Sequence, residues 1–488
     1  MIKLLQDILY KCRLQEIVGN THIAIEHLSA DSRDVKPFSL FFAVTGTQTD
    51  GHSYINSAIE KGAVAIVCER IPEERKSHVT YIQVPNAAEA LGTIASNYFD
   101  HPSKEIKLIG ITGTNGKTTV ATLLYRLFRL LNYRTGLLST VVNRINDKAL
   151  AATHTTPDAI TLNRLLREMV ESDCEYCFME VSSHAIHQHR VTGIHFTGGV
   201  FTNITHDHLD YHKTFNEYIK AKKGLFDMLP SGAFALVNND DNHGEIMVQN
   251  TRARVRTFGL KTMTDFKVKV LENQFTGLHL LIGGKDFYTK IVGTFNAYNL
   301  LTVYAVAVEL GIDQLDILTT MSLLNSVDGR FQLVRSAEGI SAIVDYAHTP
   351  DALKNVLSTI KDVRTGNEKV ITVVGCGGDR DRTKRPIMAQ IAADHSDKVI
   401  LTSDNPRSEE PEAIITEMRS GLDPVQMSKT FSITDRREAI RMACSLAAPG
   451  DIILVAGKGH EKYQEIKGER FDFDDLSEVT NTLNTIRK

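Results

Sequence analysis

Lys107-Leu108-Ile109-Gly110-Ile111-Thr112-Gly113-Thr114-Asn115-Gly116-Lys117-Thr118-Thr119 is the stretch on which the fold turns. Its first half is a short apolar run closed by glycine, the pattern of a buried strand. Its second half carries two glycines, a lysine and three threonines. It then runs into Val120, Leu123, Leu124, Leu127 and Leu131, the i, i+3, i+4, i+7 spacing of a one-sided helix. Strand, glycine loop and helix in that order turn backbone N–H groups and a helix N-terminus toward an anion. Lys117 can then neutralise β- and γ-phosphates, and the Thr118 hydroxyl can ligate Mg²⁺. The generic loop G-x-x-x-x-G-K-[ST] would place glycine at 111, where this chain has Ile111. The loop is therefore a G-x-x-G-K-T-T variant, which weighs against generic GTPases and motor ATPases.

Working outward, CFMEVSS (177–183), GGVFTNI (198–204) and FALVNND (234–240) are further apolar strands separated by helical segments. That alternation predicts a largely parallel sheet covered by helices. From Ile340 the pattern repeats in ISAIVDYAH, KVITVVGCGG, KVILTSDNPR and DIILVAGKG. Each strand ends in glycines or polar residues, where ligands sit in open α/β sheets. Before about residue 102 a smaller mixed α/β segment ends in a helix over 87–98. The opening MIKLLQDILYKC predicts an amphipathic helix with Leu4, Leu5, Ile8 and Leu9 on one face. The fold class is thus α/β in three domains: 1–102, 103–335 and 336–488. A chain of 488 residues suits that count at about 150 residues each.

Lys plus Arg is 55 and Asp plus Glu is 59, a formal net charge of −4. No basic excess exists to neutralise a nucleic-acid backbone, so nucleic acid is not an expected partner. No apolar run approaches the roughly 20 residues that span a bilayer, and the N-terminus lacks a signal-peptide core. No membrane association and a cytoplasmic location are expected. Six scattered cysteines make no disulfide framework. Cys174 and Cys177 form one C-x-x-C without a second pair and read as half-buried strand residues. GCGG at Gly375 lacks the G-x-G-x-x-G spacing of a dinucleotide site.

The variant loop is one of a series of motifs that follow one another along almost the whole chain. They are DSRDV (31–35), TDGH (49–52), GTNGKTT (113–119), THTTPD (153–158), MEVSSHAIHQHR (179–190) and FTNITHDHLDYH (201–212). AKKGLF (221–226), FNAYNLL (295–301), DGRFQ (328–332), DYAHTPDAL (345–353), GGDRDRTKRP (377–386), SDNPR (403–407) and GKGHE (457–461) complete it. In this ordered set the chain resembles the Mur ligase family of ATP-dependent amide-forming enzymes. The resemblance implies a nucleotide-sugar-binding domain, a central ATPase-type domain and a Rossmann-like amino-acid-binding domain. It is nearest to the members that add meso-diaminopimelate to the D-glutamate of UDP-N-acetylmuramoyl-L-Ala-D-Glu in peptidoglycan precursor synthesis. The implied chemistry moves the γ-phosphoryl of ATP to the D-glutamate carboxylate, and the amine then attacks the acyl phosphate. Two anions approach in the first step, so concentrated positive charge is required.

By the same resemblance, Gly113, Thr114, Asn115, Gly116, Lys117, Thr118, Thr119, Asn299, Arg330 and Asp345 meet ATP, with His348 facing the same cleft. Lys117, Lys222, Glu180 and His208 are the catalytic set, and Thr118, Glu180, His208 and Lys222 are the Mg²⁺ set. Lys222, rather than Lys220 or Lys223, matches the lysine that the family carries as an N-carboxylated side chain. Residue patterns alone would leave Glu180 as a strand-end carboxylate and the three lysines as a solvated face. Ala30, Ser32, Thr47, Gln48, Thr49, Thr155, Thr156, Ser182, Gln188 and Arg190 match the positions for the UDP-muramoyl dipeptide. Arg380, Asp404, Asn405, Pro406, Arg407, Gly457 and Glu461 match those for diaminopimelate. A fixed guanidinium at Arg407 suits the second carboxylate, which L-lysine lacks. Two departures stand out: Phe38 and Lys213 occupy places where relatives usually have glycine. A lysine-adding relative, a paralogue with a specialised acceptor, a folate polyglutamating ligase and a non-catalytic nucleotide switch are the alternatives. Arg407 opposes the first, and SDNPR with DSRDV opposes the folate enzyme. Small-molecule partners and a monomer are expected.

Overall fold

The structure, a computed structural model, describes residues 1–46, 49–152, 154–207 and 209–485. Its largest sheet is built around the strand Lys107–Thr112, buried at every residue except the first. Tyr176–Glu180 pairs with it in parallel on one side and Gly198–Phe201 on the other. Thr135–Leu138 continues the sheet beyond the former, and Phe234–Asn238, Arg254–Gly259 and Phe266–Gln274 continue it beyond the latter, all in parallel. The order of strands therefore reverses at Lys107–Thr112, which opens a crevice beyond its carboxyl end. An antiparallel arm, Gly277–Ile282 and Lys285–Thr289, extends the far edge; the sequence patterns did not single it out.

The helix Lys117–Leu130 starts at Gly116, whose φ of 89° reverses the chain without a Cβ. Its Val120, Leu123, Leu124 and Leu127 are wholly buried, against the sheet and the helix Thr294–Glu309. A smaller five-stranded sheet is formed by residues 16–83, with Thr80–Gln83, Ala63–Cys68, Ser39–Phe42 and His27–Ser29 in parallel. Its covering helix Ala87–Tyr98 docks on the central region, where Ser96 Oγ donates to Gly193 O at 3.0 Å. A Cβ on Gly92 would lie 2.7 Å from Thr192 O, so only glycine permits this approach. The third sheet sets Ser341–Asp345, Ile452–Ala456, Val370–Val374, Lys398–Leu401 and Thr430–Ser432 side by side in parallel.

The N-terminal expectation needs correction. The helix spans only Leu5–Ile8, because Lys3–Leu4 pairs antiparallel with Ala24–Ile25. Leu5, Ile8 and Leu9 are buried, but Leu4 is exposed. Backbone pairing satisfies groups that a marginal short helix would leave open. Cys174 and Cys177 are also fully rather than half buried, with burial raising both thiols. Phe38 and Lys213 sit at φ 61° and 62°, the left-handed region in which glycine carries no Cβ penalty. No helix among the described residues is long and apolar enough to cross a membrane.

Candidate active site

The carboxyl end of Lys107–Thr112 leads into the loop 113–116, which the neighbouring strand end holds in place. Thr114 N donates to Asn203 O at 2.8 Å, and Asn115 N donates to Asn203 Oδ1 at 2.9 Å. Thr202 Oγ1 donates to Asn115 O at 2.6 Å. A Cβ on Gly113 would meet Thr202 Oγ1 at 1.9 Å, and one on Gly116 would meet Asn299 Oδ1 at 2.6 Å. Both glycines are therefore fixed by packing as well as by their φ values. Asn299 itself donates to Asn296 Oδ1 at 2.9 Å, so FNAYN braces the loop from behind.

Lys117 Nζ folds back to donate to Gly113 O and Thr114 O, at 2.9 and 2.8 Å. Lys222, from the helix Phe215–Asp227, reaches the same Gly113 O at 2.6 Å and is 1% exposed. Burial first, then the charge of Lys117, pulls the Lys222 ammonium well below its usual range. Burial also lowers Lys117, against the opposing pull of Glu180 and Asp207. Glu180, wholly buried at its strand end, accepts from Thr118 Oγ1 at 2.9 Å and from Thr140 N at 2.7 Å. Arg330 Nη2 donates to Thr118 Oγ1 at 3.2 Å, and its guanidinium lies 4.5 Å from the Tyr346 ring centre. The expected residues thus form two adjoining clusters, Gly113, Thr114, Lys117 and Lys222 in one and Thr118, Glu180 and Arg330 in the other. Asp345 accepts from Phe331 N and Ala347 N, and burial pushes its carboxyl up to about 6. His348 is pulled down to about 4, by burial and then by Lys384.

Thr118 and Glu180 supply two oxygen donors from two elements, the ligand type that Mg²⁺ prefers. Among the described residues no three His, Cys, Asp or Glu side chains gather into a metal cluster. His208, Thr47 and Gln48 lie outside the described residues.

Next to Glu180 the expected dipeptide-side residues converge. Thr156 Oγ1 donates to Glu180 O at 2.9 Å and accepts from Ser182 N. Arg190 holds Gln188 Oε1 through Nε and Nη2, and donates from Nη1 to Thr156 O at 3.0 Å. Thr155 Oγ1 accepts from Thr140 Oγ1. Ala30, Ser32 and Thr49 stay on the first sheet's rim, where Ser32 O accepts from Lys61 and Thr49 O from Gly46.

The third sheet's rim gathers a different group. Asn405 Nδ2 donates to Glu461 Oε2 at 2.8 Å. Gly457, at φ 120°, lets Asp404 approach, since a Cβ there would lie 2.5 Å from Asp404 Oδ2. A Cβ on Gly378 would lie 1.9 Å from Pro406 O, so GCGG is a seat for the Asn-Pro turn. Arg407, at φ 52°, donates from Nη1 to Gly378 O at 2.7 Å, with Nε 3.8 Å from Glu465. Burial and the Asp404 charge raise Glu461. Arg380 is exposed and donates only as far as the neighbouring Asp379 O. Sequence reading passed over Lys458. Wholly buried, it donates to Asn405 Oδ1 at 2.9 Å and to Glu461 Oε2 at 3.2 Å. A lysine set between glycines directly after the buried strand IILVA was the available signal.

Residues 111–307 match the Mur ligase middle domain, 329–459 the Mur ligase glutamate ligase domain, and 24–99 the Mur ligase family catalytic domain. The chain is 56% identical over 485 residues to a UDP-N-acetylmuramoyl-L-alanyl-D-glutamate--2,6-diaminopimelate ligase of Cytophaga hutchinsonii, covering 99% of this chain and all of that one. It is 54% identical over 481 residues to the protein of the same name from Bacteroides thetaiotaomicron, at 99% and 100% coverage. A solved ligase structure of that name shares 32% identity with a TM-score of 0.70, covering 99% of each chain. A folylpolyglutamate synthase from Mycobacterium tuberculosis, 19% identical, shares the fold over 76% of this chain and 93% of its own, with a TM-score of 0.62.

Proposed function

Because this chain belongs to the Mur ligase family, we propose that its substrates are ATP, UDP-N-acetylmuramoyl-L-Ala-D-Glu and meso-diaminopimelate. It is an ATP-dependent amide-bond-forming ligase of peptidoglycan precursor synthesis. The observation that carries the site reading is the convergence of Lys117 and Lys222 on Gly113 O, with Glu180 across the loop on Thr118. We assign 1–102 to the nucleotide sugar, 103–335 to ATP and 336–488 to the amino acid.

The loop N–H groups and Lys117 orient the γ-phosphoryl group for attack by the D-glutamate carboxylate, which becomes an acyl phosphate as the β–γ bond breaks and ADP leaves. The amine of diaminopimelate then displaces phosphate. Arg190, Gln188 and Thr156 lie one strand end away, where they suit a substrate carboxylate and diphosphate. Thr118, Glu180 and Lys222, with His208, would hold Mg²⁺, which supplies charge neutralisation between the two approaching anions. Lys222 fits N-carboxylation on its own chemistry. Burial that pulls a lysine well below its usual range favours loss of its proton, and the neutral amine is the form that adds to CO₂. Asp404, Glu461 and Arg407 suit the second amino-acid head, with one carboxylate for its ammonium and the guanidinium for its carboxylate. The enzyme works as a monomer in the cytoplasm.

Phosphate release with the UDP-muramoyl dipeptide against a panel of amino acids tests this reading. Turnover requiring both acceptor and diaminopimelate is the expected result. Equal use of L-lysine points to the lysine-adding relative, and hydrolysis needing neither substrate to a nucleotide switch.

A further inference from the structure

The tip of the phosphate loop is held by two parts of the molecule at once. The backbone of Asn115 belongs to the central sheet, through Asn203 and Thr202. Its side chain belongs to the third α/β unit, since Nδ2 donates at 2.8 Å to Asp351 Oδ2, in the first turn of the helix Pro350–Val363. Thr205 Oγ1 donates to the same oxygen at 3.3 Å, and Asn355 Nδ2 at 3.2 Å. The two units also meet tightly below the loop. Tyr346 N donates to Gly329 O at 2.9 Å, and a Cβ on Gly329 would lie 2.1 Å from His460 N.

A carboxylate beside a site for phosphates opposes anion binding, so affinity for ATP does not account for Asp351. Its use is as an acceptor that fixes the loop's outermost residue. We propose that Asp351 is a positioning residue: acting through Asn115, it makes the geometry of the phosphate loop depend on the seating of the amino-acid-binding unit. Phosphoryl transfer then runs at full rate only when that unit is docked. This rests on the reading that the loop holds ATP.

The test is a double-variant cycle in the full chain, with kcat, KM for each substrate and equilibrium ATP binding measured. Misplacing a reacting group by about 1 Å costs about 10²-fold. Asp351→Ala should therefore lower kcat by about 10–100-fold while leaving ATP affinity unchanged or tighter. Asp351→Asn, which keeps an acceptor oxygen, should restore most of kcat. Asn115→Ala combined with Asp351→Ala should be no slower than Asn115→Ala alone. Additive losses, a weakened ATP affinity in Asp351→Ala, or a kcat within about twofold of the parent would each overturn the proposal. If Asp351→Ala does not fold, Asp351→Ser, too short to reach Asn115, is judged by the same criteria. Undiminished ATP binding in Lys117→Ala would instead overturn the loop assignment itself, so the two failures are separable.

Discussion

At the rim of the central sheet Lys117 and Lys222 end on backbone carbonyls of the loop, whereas at the rim of the third sheet Lys458 ends on Glu461 and Asn405. Both rims are the carboxyl ends of buried parallel strands. They differ in how their charge is balanced. The first rim buries Lys117 and Lys222 together in a pocket that lowers both, with Glu180 and Asp207 pulling Lys117 the other way. The second is balanced before any ligand arrives, by Lys458 among its carboxylates and by the fully buried pair Arg436–Asp475 beneath it, at 2.7 Å. Arg436 also donates to Ala456 O, which ties that pair to the strand end. On the proposed reading the central rim attracts and activates an anion. On the same proposed reading the third holds a zwitterionic head in a fixed frame, where fit matters more than attraction.

The sharpest way to break that contrast is at the loop. Lys117→Ala should cost about 10²–10³ in turnover, the usual effect of removing one donor from developing charge. Turnover within about threefold of the parent, a barrier change well under 1 kcal/mol, would remove Lys117 from the chemistry. Lys222→Ala should lose a similar factor of about 10² or more and regain part of it with acetate or formate, which can stand in for a carbamate. An intact mass showing unmodified Lys222 in active protein would end the carboxylation reading.

Arg407→Ala tests the third rim. It should cost about 2–5 kcal/mol in kcat/KM for diaminopimelate, since it leaves a substrate carboxylate unpaired. The poor use of L-lysine should barely worsen. An equal loss for both amino acids would mean that Arg407 only shapes the Asn-Pro turn.

A smaller effect is read in stability. Asp345 has its folded-state pKa raised to about 6 from 3.8, so its contribution is fully present below pH 3.8 and is lost as pH rises through 6. Unfolding free energies from pH 4 to 7 should therefore show the parent losing up to about 3 kcal/mol relative to Asp345→Asn. A flat difference would show that burial does not hold this carboxyl up. The smallest effect lies far from both rims. Phe38→Gly removes a left-handed strain of about 1–2 kcal/mol but adds unfolded-state freedom of about 0.5–1 kcal/mol. A net gain of about 0.5–1 kcal/mol in thermal unfolding is expected, and a loss would show that the half-exposed ring of Phe38 contributes more by packing than its backbone costs.

Much of this molecule was legible before any coordinates. The central strand, the helix from Lys117 and the helix Ala87–Tyr98 follow from apolar periodicity and glycine placement, because buried strands and one-sided helices leave local marks. Lys117 followed from the glycine loop itself, whereas the roles expected of Glu180 and Lys222 came from the family motifs. The N-terminal helix was overestimated, since a strand partner at Ala24–Ile25 leaves no trace in residues 1–9. That Phe38 and Lys213 lie in left-handed backbone became visible only in the fold, although glycine in relatives had pointed to it.

By itself the sequence determined the fold class, the phosphate loop, the family and the candidate residues, because these depend on residue type and short-range spacing. Only the tertiary structure decided that Lys222 is buried on the same carbonyl as Lys117 and that Lys458 balances the second rim. It also decided that Asp351 reaches Asn115 from a helix of the third unit. Those facts arise from contacts between residues tens to hundreds of positions apart. Burial and neighbouring charge, which set what a lysine or a carboxylate can do, exist only once the chain has brought them together.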